Sequence, residues 1–217
     1  MPAELYTYTG SKLALEIKNQ FGDTGGVQIT DAMILQWINN GQRSIAATNP
    51  ILERTFQTNL LAGQTAYDID TLMSSARLMS FSSVLAGDAK LKFVTWEKFL
   101  EGDWSDIATA GSPQIFTEYG GKLTIYPAAT ESVVNGLTIY FIAWPADLVS
   151  IGDPLTIPDR FYNALSKYVF AQALELDENF DAAAAQLEAH ASALSVEAGR
   201  DNLNPTDAYH TATYVEP

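Results

Sequence analysis

Apolar residues recur with a helical period at both ends of this chain and with a strand period between them. That switch limits the possible folds more than any other feature. In residues 11–21, Leu13, Ile17 and Phe21 fall at steps of four, which places them on one face of a helix. The glycine-rich stretch 22–26 cannot continue it. Thr30 or Asp31 then supplies the cap for a second helix. Ile34, Ile38, Gly41, Ile45 and Thr48 follow at steps of 4, 3, 4 and 3, Trp37 widens the face, and Asn49-Pro50 ends the run.

From about residue 54 to residue 144 the pattern consists of short runs of β-branched and aromatic residues. The runs 54–61, 66–69, 78–85, 90–94, 115–119, 122–126 and 137–144 are separated by turns at 62–64, 86–88, Gly120-Gly121 and Asn135-Gly136. Short glycine turns between such runs predict antiparallel hairpins. One short helix over 96–102 interrupts them.

The last third returns to the helical period. Thr156-x-x-Asp159 with Pro158 in the first turn has the form of a capping box. Phe161, Leu165, Tyr168, Val169 and Leu176 then line one side. After a turn at 177–179, Phe180, Ala184, Leu187, Ala191, Leu194 and Ala198 are spaced 4, 3, 4, 3 and 4, a seam whose small residues permit close helix approach.

Both helical ends have stripes to bury. The expected class is therefore α+β: a discontinuous helical bundle from residues 1–50 and 151–200, an inserted antiparallel β-sheet or sandwich module over 51–150, and an extended arm over 201–217, where periodicity is lost.

Composition then excludes function classes. With 12 Lys plus Arg against 26 Asp plus Glu, the net charge is −14, which repels a phosphate backbone and argues against tight nucleic-acid binding. Residues 151–217 hold 11 acids and 3 bases, and so −8 of that charge. Cysteine is absent, which removes disulfides, thiolate nucleophiles and sulfur-ligated zinc. The opening Met1-Pro2-Ala3-Glu4 lacks a signal peptide's basic start, and the longest apolar run, 139–144, is about a third of a membrane span. A soluble protein with no membrane partner is expected.

The search for chemistry returns no catalytic, metal or cofactor site. His190 and His210, the two histidines, are twenty residues apart without a partner at helical spacing and read as solvated or capping side chains. Asp177, Glu178 and Asp181 lack the spacing and glycine of a calcium loop. Residues 22–26 carry no nucleophile elbow and no phosphate-loop lysine. Asp68 with Asp70, or Asp103 with Asp106, offers acidic pairs for hydrolysis, but nothing in the sequence sets their geometry. A ligand- or carbohydrate-binding β module with an accessory helical domain stays open beside these readings.

Four stretches carry a family resemblance, in order. They are the helix Ile29-Thr30-Asp31-Ala32-Met33-Ile34-Leu35-Gln36-Trp37 continuing to Ala46, Gln64-Thr65-Ala66-Tyr67-Asp68-Ile69, the pair Ser112-Pro113-Gln114-Ile115-Phe116 and Lys122-Leu123-Thr124-Ile125-Tyr126-Pro127, and 153–162 with Ile157-Pro158-Asp159-Arg160. Together they resemble tailed-bacteriophage head–tail adaptor proteins, also called connector, head-completion or tail-tubular-A-like proteins. In that family the second stretch would be the first hairpin and the last would begin the late helix.

The resemblance implies a structural virion protein without catalysis or cofactor. It would be made in the host bacterial cytoplasm and form a homo-oligomeric, dodecameric ring with itself beneath the portal protein. A tail or nozzle component would dock on the far side, and double-stranded DNA would pass through the lumen without tight binding. From the architecture, portal contact is expected on the helical ends and the arm, at Leu203, Tyr209, Tyr214 and Val215. Tail contact is expected on β-module loops, at Gly87, Asp88, Asp103 and Trp104.

Overall fold

The computed structural model describes residues 8–73, 77–108 and 111–203. It is an α+β fold whose residues group into two compact units, one from the chain up to Ile51 and from Pro145 onward, the other Leu52–Trp144.

In the first unit, α1 (Gly10–Phe21) and α2 (Asp31–Thr48) pack on α5 (Tyr162–Leu176), which also carries α6 (Phe180–Leu203). The core contains Leu13 and Ile17 of α1, Ile34, Ile38 and Ile45 of α2, and Leu165 and Val169 of α5, with Phe161 beneath them. Thr30 caps α2 by accepting the Met33 N–H. Gly22 ends α1 at φ 88°, a left-handed conformation natural to glycine, while the next amide, of Asp23, donates to the Lys18 carbonyl at 2.9 Å.

Between α1 and α2, one carboxylate organises the connection. Asp23 accepts the N–H groups of Val27, Gln28 and Ile29 at 2.8–2.9 Å. The Ile29 amide, then the Val27 amide, holds its carboxyl below the ordinary range. A depressed folded-state pKa stabilises the fold above the ordinary carboxylate pKa, and this contribution is lost as pH falls through the depressed value. Asp23→Ala should therefore raise hydrogen exchange at Val27, Gln28 and Ile29 at neutral pH. In the parent, the same amides should lose protection on acidification before those of α2 do.

Segment 145–158 is held against α2 by amide side chains. Asn39 exchanges two hydrogen bonds with the Leu148 backbone, and Gln42 Oε1 accepts both the N–H and the hydroxyl of Thr156. The Thr156 hydroxyl in turn donates on this side, so it forms no capping box. Asp159–Phe161 is instead a single 3-10 turn leading into α5 without a side-chain cap. Tyr162 at the start of α5 donates its hydroxyl to Glu16 at 2.6 Å, and burial, then that hydrogen bond, pushes the phenol pKa up.

The seam expected on the alanine-rich helix is met at Leu194, while Ala183 and His190 take the buried places expected of Ala184 and Ala191. Ala183, His190, Leu194 and Glu197 are buried, whereas Phe180, Ala184 and Ala191 are exposed, as is Leu176 at the end of α5. His190 anchors the inward face: its Nδ1 lies 2.8 Å from the Ala164 carbonyl and its ring 5.5 Å from that of Tyr168. It is a core residue, neither solvated nor capping.

The second unit has two four-stranded sheets. The first runs β1 (Glu53–Leu60), β8 (Val133–Ala143), β3 (Leu78–Ala86), β4 (Ala89–Lys90), all antiparallel. The second runs β2 (Ala66–Asp68), β7 (Lys122–Tyr126), β6 (Ile115–Tyr119), β5 (Lys92–Phe93). Their inner faces meet where the Phe81 ring of β3 lies edge-on to Phe116 of β6, 6.4 Å between centroids.

Four sequence expectations change here. Residues 62–64 do not close a hairpin, because β1 and β2 lie in different sheets. The run 90–94 likewise splits at buried Leu91 as the chain crosses between sheets, and β5 pairs with β6 in parallel. Asn135-Gly136 is no turn but an irregularity within β8, where Asn135 takes φ 53° and its N–H donates to Asn59 Oδ1. After β2, Asp68 caps a short helix, α3 (Ile69–Leu72), where a continuing strand was expected at Ile69.

Candidate docking surfaces

Among the described residues no group of three or more His, Asp or Glu is placed to hold a metal ion. Asp68 and Asp103 act as turn caps, accepting the Thr71 and Ser105 amides, which hold their carboxyls below the ordinary range. Asp177, Glu178 and Asp181 are exposed around the α5–α6 turn, with Glu178 at φ 58°. His210 lies outside the described residues, and no described helix is long and apolar enough to cross a membrane.

What the second unit presents is an aromatic surface on the outward side of its second sheet. Cross-strand register puts Ile115, Thr117 and Tyr119 of β6 on one face with Tyr126, Thr124 and Lys122 of β7. The short helix α4 (Trp96–Glu101) lies over this face. Its Trp96 ring stacks on Tyr119 at 4.6 Å and 4°, and on Phe99 at 5.6 Å. Phe99 in turn meets Tyr126 and Trp104. Tyr119 remains 60% exposed and Leu100 65% exposed, so the cluster covers Ile115 and Thr117 yet leaves a broad apolar rim in solvent. Aromatic groups with one face packed and one free are the side chains that most often anchor protein interfaces.

Of the tail-contact residues expected from sequence, Gly87 and Asp88 form the exposed tip between β3 and β4, and the Gly87 N–H donates to the Gly136 carbonyl at 2.7 Å. Asp103 and Trp104 follow α4 on the other sheet. Trp104 is half-buried and structural: its Nε1 donates to the Phe99 carbonyl at 2.9 Å. The four therefore belong to two sites, and the aromatics beside the second, half-buried Trp96 and exposed Tyr119, were not anticipated. Their signal was present in the i, i+3 pair Trp96 and Phe99 and in Tyr119 at the Gly120-Gly121 turn. Leu203 is the last residue of α6, and Tyr209, Tyr214 and Val215 lie outside the described residues.

No curated protein matches the chain. The family model described as SU10 adaptor protein matches residues 8–213, which takes in both units. With this much of the sequence matched, the chain belongs to the SU10 adaptor protein family, a family of phage head–tail adaptors.

Proposed function

We propose that the protein joins head to tail in the phage particle as a dodecameric ring beneath the portal protein. The far side of the ring holds the tail or nozzle component, and double-stranded DNA passes through its lumen. The match over residues 8–213 carries this reading. The net charge of −14 favours it, since a passage lined by such subunits repels phosphate and lets DNA slide. The protein acts by docking, without catalysis or cofactor, after synthesis in the host cytoplasm.

The aromatic rim of α4 and β6 is the tail-side contact in this reading, with Tyr119 as its centre. Mixing the chain with isolated portal should give co-sedimenting rings visible by negative-stain microscopy. Tyr119→Ser should leave those rings intact and weaken capture of the tail component about 30-fold, the effect of removing one aromatic anchor worth ~2 kcal/mol. No co-sedimentation with portal would refute the placement. Unchanged tail capture would refute the role of the rim.

A further inference from the structure

β1 is the edge of the first sheet, and it is long. The other edge strands, β2, β4 and β5, have three, two and two residues, whereas β1 has eight. It contains neither lysine nor proline, two residues that commonly blunt exposed edges. Arg54, Thr55, Gln57 and Asn59 are exposed.

The ladder shows which backbone groups face outward. The Ala143 N–H donates to the Leu52 carbonyl at 2.9 Å, and in an antiparallel pair such bonded positions alternate. Continuing the register, Arg54, Phe56 and Thr58 exchange hydrogen bonds with Phe141, Ile139 and Leu137. The N–H and C=O of Thr55 and Gln57 point away from β8, where no described strand lies.

A segment of this chain outside the described residues has matching chemistry. Residues 208–215 read Ala-Tyr-His-Thr-Ala-Thr-Tyr-Val, eight residues of which five are Tyr, Thr or Val, with no Gly or Pro between Pro205 and Pro217. Tyr209, Thr211, Thr213 and Val215 alternate, as one face of a strand requires. Asp207 and Glu216 flank the segment, so a pairing in either direction brings an acid towards exposed Arg54.

We propose that residues 208–215 of one copy add as a strand to the open edge of β1 in the next copy. A tail paired with its own β1 would close that edge within one subunit. A tail paired with its neighbour's makes a contact between unlike surfaces that repeats around a closed ring. The inference rests on the ring proposed above and assigns the arm to the neighbouring subunit in place of the portal.

Thiol trapping tests it cleanly because the chain has no cysteine. Full-length Thr55→Cys protein is mixed with Thr211→Cys, Ala212→Cys or Thr213→Cys protein, assembled on portal and treated with a short bis-maleimide. Cross-links between copies should form at 211 and 213 in similar yield, with a different yield at 212, the two-residue alternation of a strand. Gln57→Pro removes an outward N–H while leaving the main-chain bonds to β8; it also loses the exposed side-chain bond from Gln57 to Thr138. It should lower cross-linking about tenfold, the effect of losing one to two main-chain hydrogen bonds from an association. If that variant does not fold, the alternation alone decides.

Equal yield at all three positions would overturn the pairing, as would links confined to one chain in a Thr55→Cys/Thr211→Cys double variant. Rings visible by microscopy but not cross-linked would overturn the pairing and leave the ring standing, whereas failure to form rings on portal would remove both.

Discussion

Phe161→Ala should lower the stability of the helical unit by about 3–5 kcal/mol, the range for emptying a fully enclosed aromatic site. Phe161 is 0% exposed and belongs to the core that Leu13, Ile17, Ile34, Ile38 and Leu165 also form. It sits in the 3-10 turn that leads into α5, where α6 also approaches. Against a typical total of roughly 5–15 kcal/mol the loss is large. Urea unfolding followed by helical circular dichroism reads it directly. Leu176→Ala, at the exposed end of α5, should stay within about 0.5 kcal/mol and serves as the control. A Phe161→Ala midpoint no lower than the control's would mean that the two ends of the chain do not share this core.

Gly41 governs how closely α2 approaches α5. A Cβ placed there would lie 2.6 Å from Leu165 Cδ1 and 2.8 Å from Tyr168 Cδ1. In an exposed helix, glycine to alanine gains about 1 kcal/mol. Here overpacking of ~1–3 kcal/mol opposes that gain, so Gly41→Ala should be destabilising by about 1 kcal/mol. Gly41→Ile, with three more heavy atoms in the same gap, should lose about 3 kcal/mol or more. Leu165→Ala in the Gly41→Ala background should cost less than Leu165→Ala alone, because the new methyl fills part of the space vacated. A double-mutant cycle measures that coupling, and additive losses would refute the close approach.

The helical elements and most strands were legible because each bears its own local signature. Leu13, Ile17, Ile34, Ile38 and Ile45 are buried as their spacing predicts, and Thr30 and Gly22 stand at the helix ends as their chemistry predicts. The failures came where a distant partner decides. Thr156 has the sequence of a cap, yet Gln42, far away in the chain, takes its hydroxyl. On α6 alanine reads alike inside and out, so Leu194 was placed rightly but Ala184 and Ala191 were not, and polar His190 went inward because the Ala164 carbonyl receives it. Turn residues at 62–64 mark a change of direction, but not whether the next strand joins the same sheet. The aromatic cluster on the second sheet was only partly legible. Trp104 was named for its place in a β-module loop, whereas the stack of half-buried Trp96 on Tyr119 depends on α4 lying across β6.

Because α1 and α2 find their cover on α5, the order of synthesis has consequences for the cell. When the ribosome has made residues up to Thr48, the stripe of Leu13, Ile17, Ile34 and Ile38 has nothing to cover it until α5 emerges more than a hundred residues later. At bacterial-scale elongation rates that interval is on the order of ten seconds. The middle unit, whose strands pair only among themselves, can complete itself on the nascent chain first. The amino-terminal helices are thus natural clients for a chaperone during translation, and a pause in translation within residues 52–144 would lengthen their exposure and favour aggregation of the newborn chain.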